Sequence, residues 1–162
     1  MLDQVRIDIH GRPRTKGSLR PVHVKAGPGR CRVSLTEDGQ HSKPWKEHMI
    51  RALQGAYPMT RWGEAVIVET FFRFERLASE ERRGDPWPVK PPGPTAQGDW
   101  DKLTRNVGDA LTQSGLIKDD CLVIGGPSYK RFVLPGEPAG VLIKVRPAVA
   151  ADLDAILALE RA

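Results

Sequence analysis

The segment "AVIVETFFRFER" (65–76) restricts the possible folds more than any other stretch of the chain. Its continuous apolar opening suits a strand with neighbours on both edges, and not the half-wet alternation of an edge strand. Such a strand needs partners, and the chain carries candidates on both sides of it. "QVRIDIH" (4–10) alternates Val5, Ile7 and Ile9 with Arg6, Asp8 and His10, the pattern of a half-buried strand. Two more strands are predicted at about 121–134 and 140–146.

Helices are expected between them. "SKPWKEHMIRALQGAYP" (42–58) places Trp45, Met49, Ala52 and Leu53 on one stripe, with Ser42 as the expected cap and Gly55 and Pro58 as stops. "DKLTRNVGDALTQ" (101–113) repeats Leu103, Val107, Ala110 and Leu111 at helical spacing, and Gly115 ends it. The Gly- and Pro-rich run 11–30 carries Arg12, Arg14, Lys16, Arg20, Lys25 and Arg30; with a short strand at 31–35 it reads as a basic hairpin arm. The Pro-rich segment 77–98 is too long for a simple connection. A last short helix, 150–162, gathers Leu153, Ile156 and Leu157. The order β, arm, α, β, loop, α, β, β predicts an α+β fold: one compact domain with a mixed sheet and helices packed against it. Residues 1–147 form that domain, and 148–162 form an accessory helix.

With 162 residues the chain is long enough to bury a core, and its net charge of +5 favours a polyanionic partner. Cys31 and Cys121 stand too far apart for a disulfide framework and in no zinc-like cluster. The opening "MLDQVRIDIHGRPRTKG" has no apolar leader core, and no run approaches a membrane span, so a cytoplasmic protein is expected.

Against this basic background, carboxylates gather in "GDWDKLTRNVGDALTQSGLIKDD" (98–120). Asp99 and Asp101 share a face only in an extended segment, so Asp101 is expected near the helix N-cap with Asp99 in the approach. Four-residue spacing then puts Arg105 one turn above Asp101, and Asp109 another turn on. The turn at Gly115 can bring Asp119 and Asp120 back toward the helix start. Two carboxylates about 5 Å apart repel by roughly 3 kcal/mol at an effective dielectric of 20. A hard divalent cation with oxygen ligands offsets this, and Mg²⁺ takes its remaining ligands from water and a phosphate. Basic residues would then grip a phosphate backbone. Each acid also has a plain structural reading: Asp101 as a helix cap, Asp109 paired with Arg105, "KDD" as a polar turn. An EF-hand is excluded, since Thr104 and Ala110 stand where it needs Gly and Glu.

This block resembles the RusA family of Holliday-junction resolvases. "DWDK", Arg105, "GDAL", "SGL" and "KDD" follow that family's acidic step, downstream cation, helix segment, Gly turn and paired acids without a gap. "IDIHGRPRTKGSLRP" is similar to its strand and basic arm. The resemblance spans about residues 4–146. It implies catalytic roles for Asp99, Asp101, Asp120 and Arg105, metal binding by the three aspartates, and secondary roles for Asp119 and Lys102. Arg105 replaces the family's Lys with a planar fork, and Lys102 stands where Asn is usual. Mg²⁺ is the implied cofactor, with Mn²⁺ able to substitute. The implied fold is RusA-like and homodimeric. The implied activity is metal-assisted hydrolysis that resolves four-way DNA junctions by paired symmetric nicks, in recombination and repair. Arg12, Arg14, Lys16 and Arg20 would contact DNA phosphates; about six such contacts predict a log–log salt slope near −5. Two other readings stand beside it: a non-catalytic binder of branched DNA, and a metal-dependent nuclease for other branched DNA or RNA. The stretch 145–162 also resembles the opening of a GNAT acetyltransferase domain over eighteen residues, and is read as the accessory helix.

Overall fold

The computed structural model describes residues 3–16, 18–25, 31–38, 41–59, 61–76 and 98–161; for 18–25 and 31–38 it describes the backbone alone. Most of the Pro-rich segment predicted over 77–98, and the side chain of Arg20, lie outside the described residues.

Strand β4 (Val66–Phe74) holds the centre of the sheet, as its apolar run predicts. On one edge it pairs antiparallel with β7 (Gly140–Pro147), which pairs antiparallel with β1 (Val5–His10). On its other edge it pairs parallel with two short strands in succession, β5 (Val123–Gly125) and β6 (Ser128–Phe132). The sheet is therefore mixed, and the strand predicted over 121–134 is broken in the middle. The break sits at Gly126, whose φ of +134° suits glycine, and where a Cβ would stand 2.0 Å from the Val68 carbonyl oxygen. There the Thr70 amide donates to the Pro127 carbonyl at 3.0 Å, outside the regular ladder.

Helices α1 (Ser42–Ala56) and α2 (Trp100–Ser114) pack on each other, and their apolar stripes join the sheet in one core. Trp45, Met49 and Leu53 come from α1; Leu103, Val107, Ala110 and Leu111 from α2; Val66, Phe72, Val141, Ile143 and Val145 from the sheet. Ser42 is not the cap of α1: His41 holds that position without a side-chain bond, and Ser42 is a buried first-turn residue. Strands β2 (Ser18–Lys25) and β3 (Cys31–Asp38) form a separate antiparallel hairpin, the expected arm. Helix α3 (Ala150–Glu160) buries no residue fully. It is fixed at its start by Asp152, which accepts from both Arg146 guanidinium nitrogens at 2.7 and 2.6 Å and from the Val149 amide at 2.8 Å. Among the described residues no helix is long and apolar enough to cross a membrane.

The opposite face of β4 carries Arg73, buried in spite of its charge. Its guanidinium is held by both carboxylate oxygens of Asp8 and by Glu137 at 3.4 Å, and Glu137 also accepts from Arg131 at 2.6 Å. The Arg131 bond is the main reason the Glu137 carboxyl titrates at about 2, against 4.5 for an ordinary glutamate. Two outcomes are expected. Gly126→Ala destabilises the domain by ~3 kcal/mol in urea melts, through strain at positive φ and the clash with Val68. Glu137→Gln costs ~1–2 kcal/mol at neutral pH. Since the native carboxyl stays ionised below the unfolded value, the difference between variant and native protein shrinks as pH falls from about 4.5 toward 2. A pH-independent difference would show that Glu137 acts by packing alone.

Candidate functional site

Helix α2 begins one residue before the predicted 101–113, and its N-cap falls two residues before the expected Asp101. Asp99 is the N-cap residue, with φ −70° and ψ 140°, and Asp101 lies inside the first turn. Neither makes a side-chain capping bond. Trp100 begins the helix because its indole N–H reaches across to the Ser128 carbonyl at 3.0 Å, tying α2 to the first residue of β6. The two carboxylates instead meet cations of their own helix. Asp99 pairs with Lys102 at 2.9 Å, and Asp101 with Arg105 at 3.4 Å. The Asp99 bond raises the Lys102 ammonium above its ordinary value. Exposed pairs one turn apart contribute only ~0.3–0.5 kcal/mol, so the Asp101–Arg105 pair exchanges readily for a stronger partner.

The return of Asp119 and Asp120 depends on the helix end. Gly115, at φ 81° and ψ 8°, reverses the chain, and Leu116 and Ile117 drop into the core. Trp62 bonds the Leu116 carbonyl at 2.8 Å and accepts from the Lys118 amide at 2.9 Å, clamping the segment just before the acids. Asp119 then caps a single 3-10 turn, Asp120–Leu122, by accepting from the Cys121 amide at 2.9 Å, which holds its carboxyl below the usual range. Asp120 comes to rest against the middle of α2: its Cβ lies 3.8 Å from where a Gly108 Cβ would be. The expected return to the helix start is thus corrected. Five residues from Gly115 span at most about 17 Å, whereas Asp101 stands about 21 Å along the helix from that glycine.

Asp101, Arg105 and Gly108 share one helix face, so the acids form a line along it, with the Arg105 residue between Asp101 and the place where Asp120 meets the helix. Among the described residues no three carboxylate, imidazole or thiol groups converge on one point. The donors still suit Mg²⁺ in kind. They are exposed, all-oxygen and loosely paired, and that ion is commonly held by one or two carboxylates plus a phosphate and water. Arg105, Asp120 and Trp100 stand at a cleft of about 360 Å³ between α2 and the β4–β6 side of the sheet.

The arm's root lies along the same helix. The Asn106 amide donates to the Arg14 carbonyl at 2.9 Å, the Lys16 amide to the Lys102 carbonyl at 3.1 Å, and the Lys16 ammonium meets Asp109 at 2.7 Å. Lys46 of α1 approaches the same carboxylate at 4.0 Å. Asp109 therefore does not pair with Arg105, and Lys16, expected on DNA, is engaged in fixing the arm. Arg12 and Arg14 sit close together: burial first, and then the Arg12 charge, lower the Arg14 guanidinium below its ordinary value. Lys130 reaches the Gly98 carbonyl at 3.4 Å, at the approach to Asp99.

Sequence reasoning missed the anchoring role of Asn106, although a signal was present. Its spacing from Leu103 and Ala110 puts an amide on the apolar stripe, and it is 1% exposed. The Lys16–Asp109 pair had no comparable signal, being 93 residues apart in sequence. No protein-family model matches the chain, and no curated protein matches it.

Asp109→Ala is expected to cost ~1–2 kcal/mol, since it leaves two cations facing each other, and to speed hydrogen exchange of the Lys16 amide. Unchanged exchange at Lys16 would mean that the arm root is held without Asp109.

Proposed function

We propose that the protein is a divalent-metal-dependent, structure-specific endonuclease that cuts four-way DNA junctions as a homodimer, by paired symmetric nicks, in recombination and repair. One observation carries the reading. The Gly115 turn and the Trp62 clamp deliver Asp120 to the side of the helix whose first turn holds Asp99 and Asp101. The acids thus line one helix face of an otherwise basic protein, although Asp99 and Asp120 are 21 positions apart in sequence.

Asp99 and Asp101, two residues apart at the start of α2, would hold Mg²⁺ or Mn²⁺, and Asp120, about 10 Å further along the same helix face, would reach the ion only through its water or phosphate ligands. When bound, the ion neutralises charge on a phosphodiester and lowers the pKa of attacking water. The chain's own groups do the rest. Exchange of the Asp101–Arg105 pair frees a carboxylate and a guanidinium together, and the guanidinium's planar fork suits two phosphate oxygens. Lys102, released from Asp99 in the same way, offers a second cation. Arg12 and Arg14 repel each other in the free protein, so a phosphate between them removes an unfavourable contact. The hairpin arm rooted on α2 carries further basic residues in its sequence, Arg20 and Lys25 among them. Two copies related by a two-fold axis match the symmetry of a four-way junction.

A second reading, the non-catalytic binder of branched DNA, is favoured by the ion pairs that already occupy Asp99 and Asp101. A labelled immobile junction with Mg²⁺, beside matched duplex, flap and RNA hairpin, separates the possibilities. The expected result is paired nicks on the junction. Asp101→Asn and Asp120→Asn should each lower the rate about a hundredfold or more, the loss of several kcal/mol of charge stabilisation. Tight junction binding without nicks in either metal would establish the binder, and preferred cutting of flap or RNA would move the enzyme to another substrate.

A further inference from the structure

The cleft beside the acids has a character of its own. Its walls are apolar, with Val68 of β4, Val107 of α2 and Val123 of β5 among them, and its rim carries the half-exposed ring of Trp100. Inside it the Thr70 and Ser128 hydroxyls bond each other at 2.6 Å, and Thr70 is only 3% exposed. A hydroxyl has one hydrogen and two lone pairs, so after this mutual bond the pair retains one free hydrogen and spare lone pairs. It can therefore meet either a carbonyl or an amine. A volume of about 360 Å³ lies at the small end of ligand sites, enough for one ring system and too little for an extended cofactor. Arg105, whose guanidinium pairs with Asp101, lines the same cleft, so a phosphate is favoured on the α2 side and an apolar, planar group against the valines.

We propose that this cleft receives one unpaired nucleobase from the nucleotide beside the phosphate held at the acids, an assignment that rests on the nuclease reading. The base enters between the Trp100 rim and the valine walls, and meets the Thr70–Ser128 hydroxyls at its polar edge. Its 5′ or 3′ phosphate stays at Arg105. The substrate class is then DNA in which a base is already unstacked, or is readily unstacked, at a branch point. Paired duplex is disfavoured, since extrusion costs a few kcal/mol there and least at a base without a partner.

The test is a four-way junction carrying 2-aminopurine at the crossover, bound to the full-length protein in Ca²⁺. That ion has the charge of Mg²⁺ without its strict octahedral geometry. Nicking in Mg²⁺ is followed in parallel. Burying the probe outside the base stack changes its fluorescence several-fold relative to the free junction, and a probe placed inside a duplex arm gives no change. Val68→Phe fills the cleft and returns the signal to that of the free junction, while the junction remains bound. Trp100→Ala removes the ring together with its indole bond to the Ser128 carbonyl and weakens binding of the junction about tenfold, whereas Trp100→Phe, which loses that bond but keeps a stacking ring, retains most of the affinity. A junction that is nicked without any change at the crossover probe overturns the cleft assignment and leaves the nuclease reading standing. A wild-type response retained in both Val68→Phe and Trp100→Ala overturns it as well. A crossover response without nicks overturns only the nuclease reading.

Discussion

Burial of β4 is the constraint on which the rest of the structure depends. A strand whose residues Val66, Phe72 and Phe74 all lie in the core must be paired on both edges and covered by helices. That requirement brings β7 and β1 to one side, β5 and β6 to the other, and α1 and α2 over the same core. Each methylene buried there contributes on the order of 0.8 kcal/mol. The acids gain nothing from this burial; they are carried by elements that do. α2 is fixed by Leu103, Val107, Ala110 and Leu111, and the segment ahead of Asp119 by Leu116 and Ile117.

This division of labour lets the site be electrostatically unfavourable. Exposed carboxylates on a fixed helix face are offset by Lys102 and Arg105, cations spaced to meet them one turn away. Such pairs are weak and exchangeable, unlike the network on the other face of the sheet, where the buried Arg73 and largely buried Glu137 are each held by two partners, among them the half-exposed Asp8 and Arg131. The two clusters use the same residue types. Exposure and depth separate a group free to change partners from one that is not.

Much of the fold was legible because hydrophobic period is local. β1, α1, β4, α2 and β7 stand where their patterns predict, within a few residues. The misses have physical causes. The strand predicted over 121–134 breaks at Gly126 because the chain passes too close to Val68 for a side chain, a contact made by a strand far away in sequence. Ser42 resembles a cap in sequence but is buried by packing. The start of α2 moved because Trp100 found Ser128 across the cleft. The candidate acids could all be named from their spacing, but their arrangement could not.

The sequence by itself determined the element order, the central strand, the positions of Asp99, Asp101, Asp119 and Asp120, and the basic arm ahead of them. Periodicity, turn residues and charge act over a few residues and can be read there. Only the tertiary structure decided that Asp120 meets α2 at Gly108 and not at its start, that Lys16 is held by Asp109, and that a cleft with a paired hydroxyl floor opens beside the acids. These depend on chain reach and on contacts between residues 58 to 93 positions apart, which no local pattern encodes.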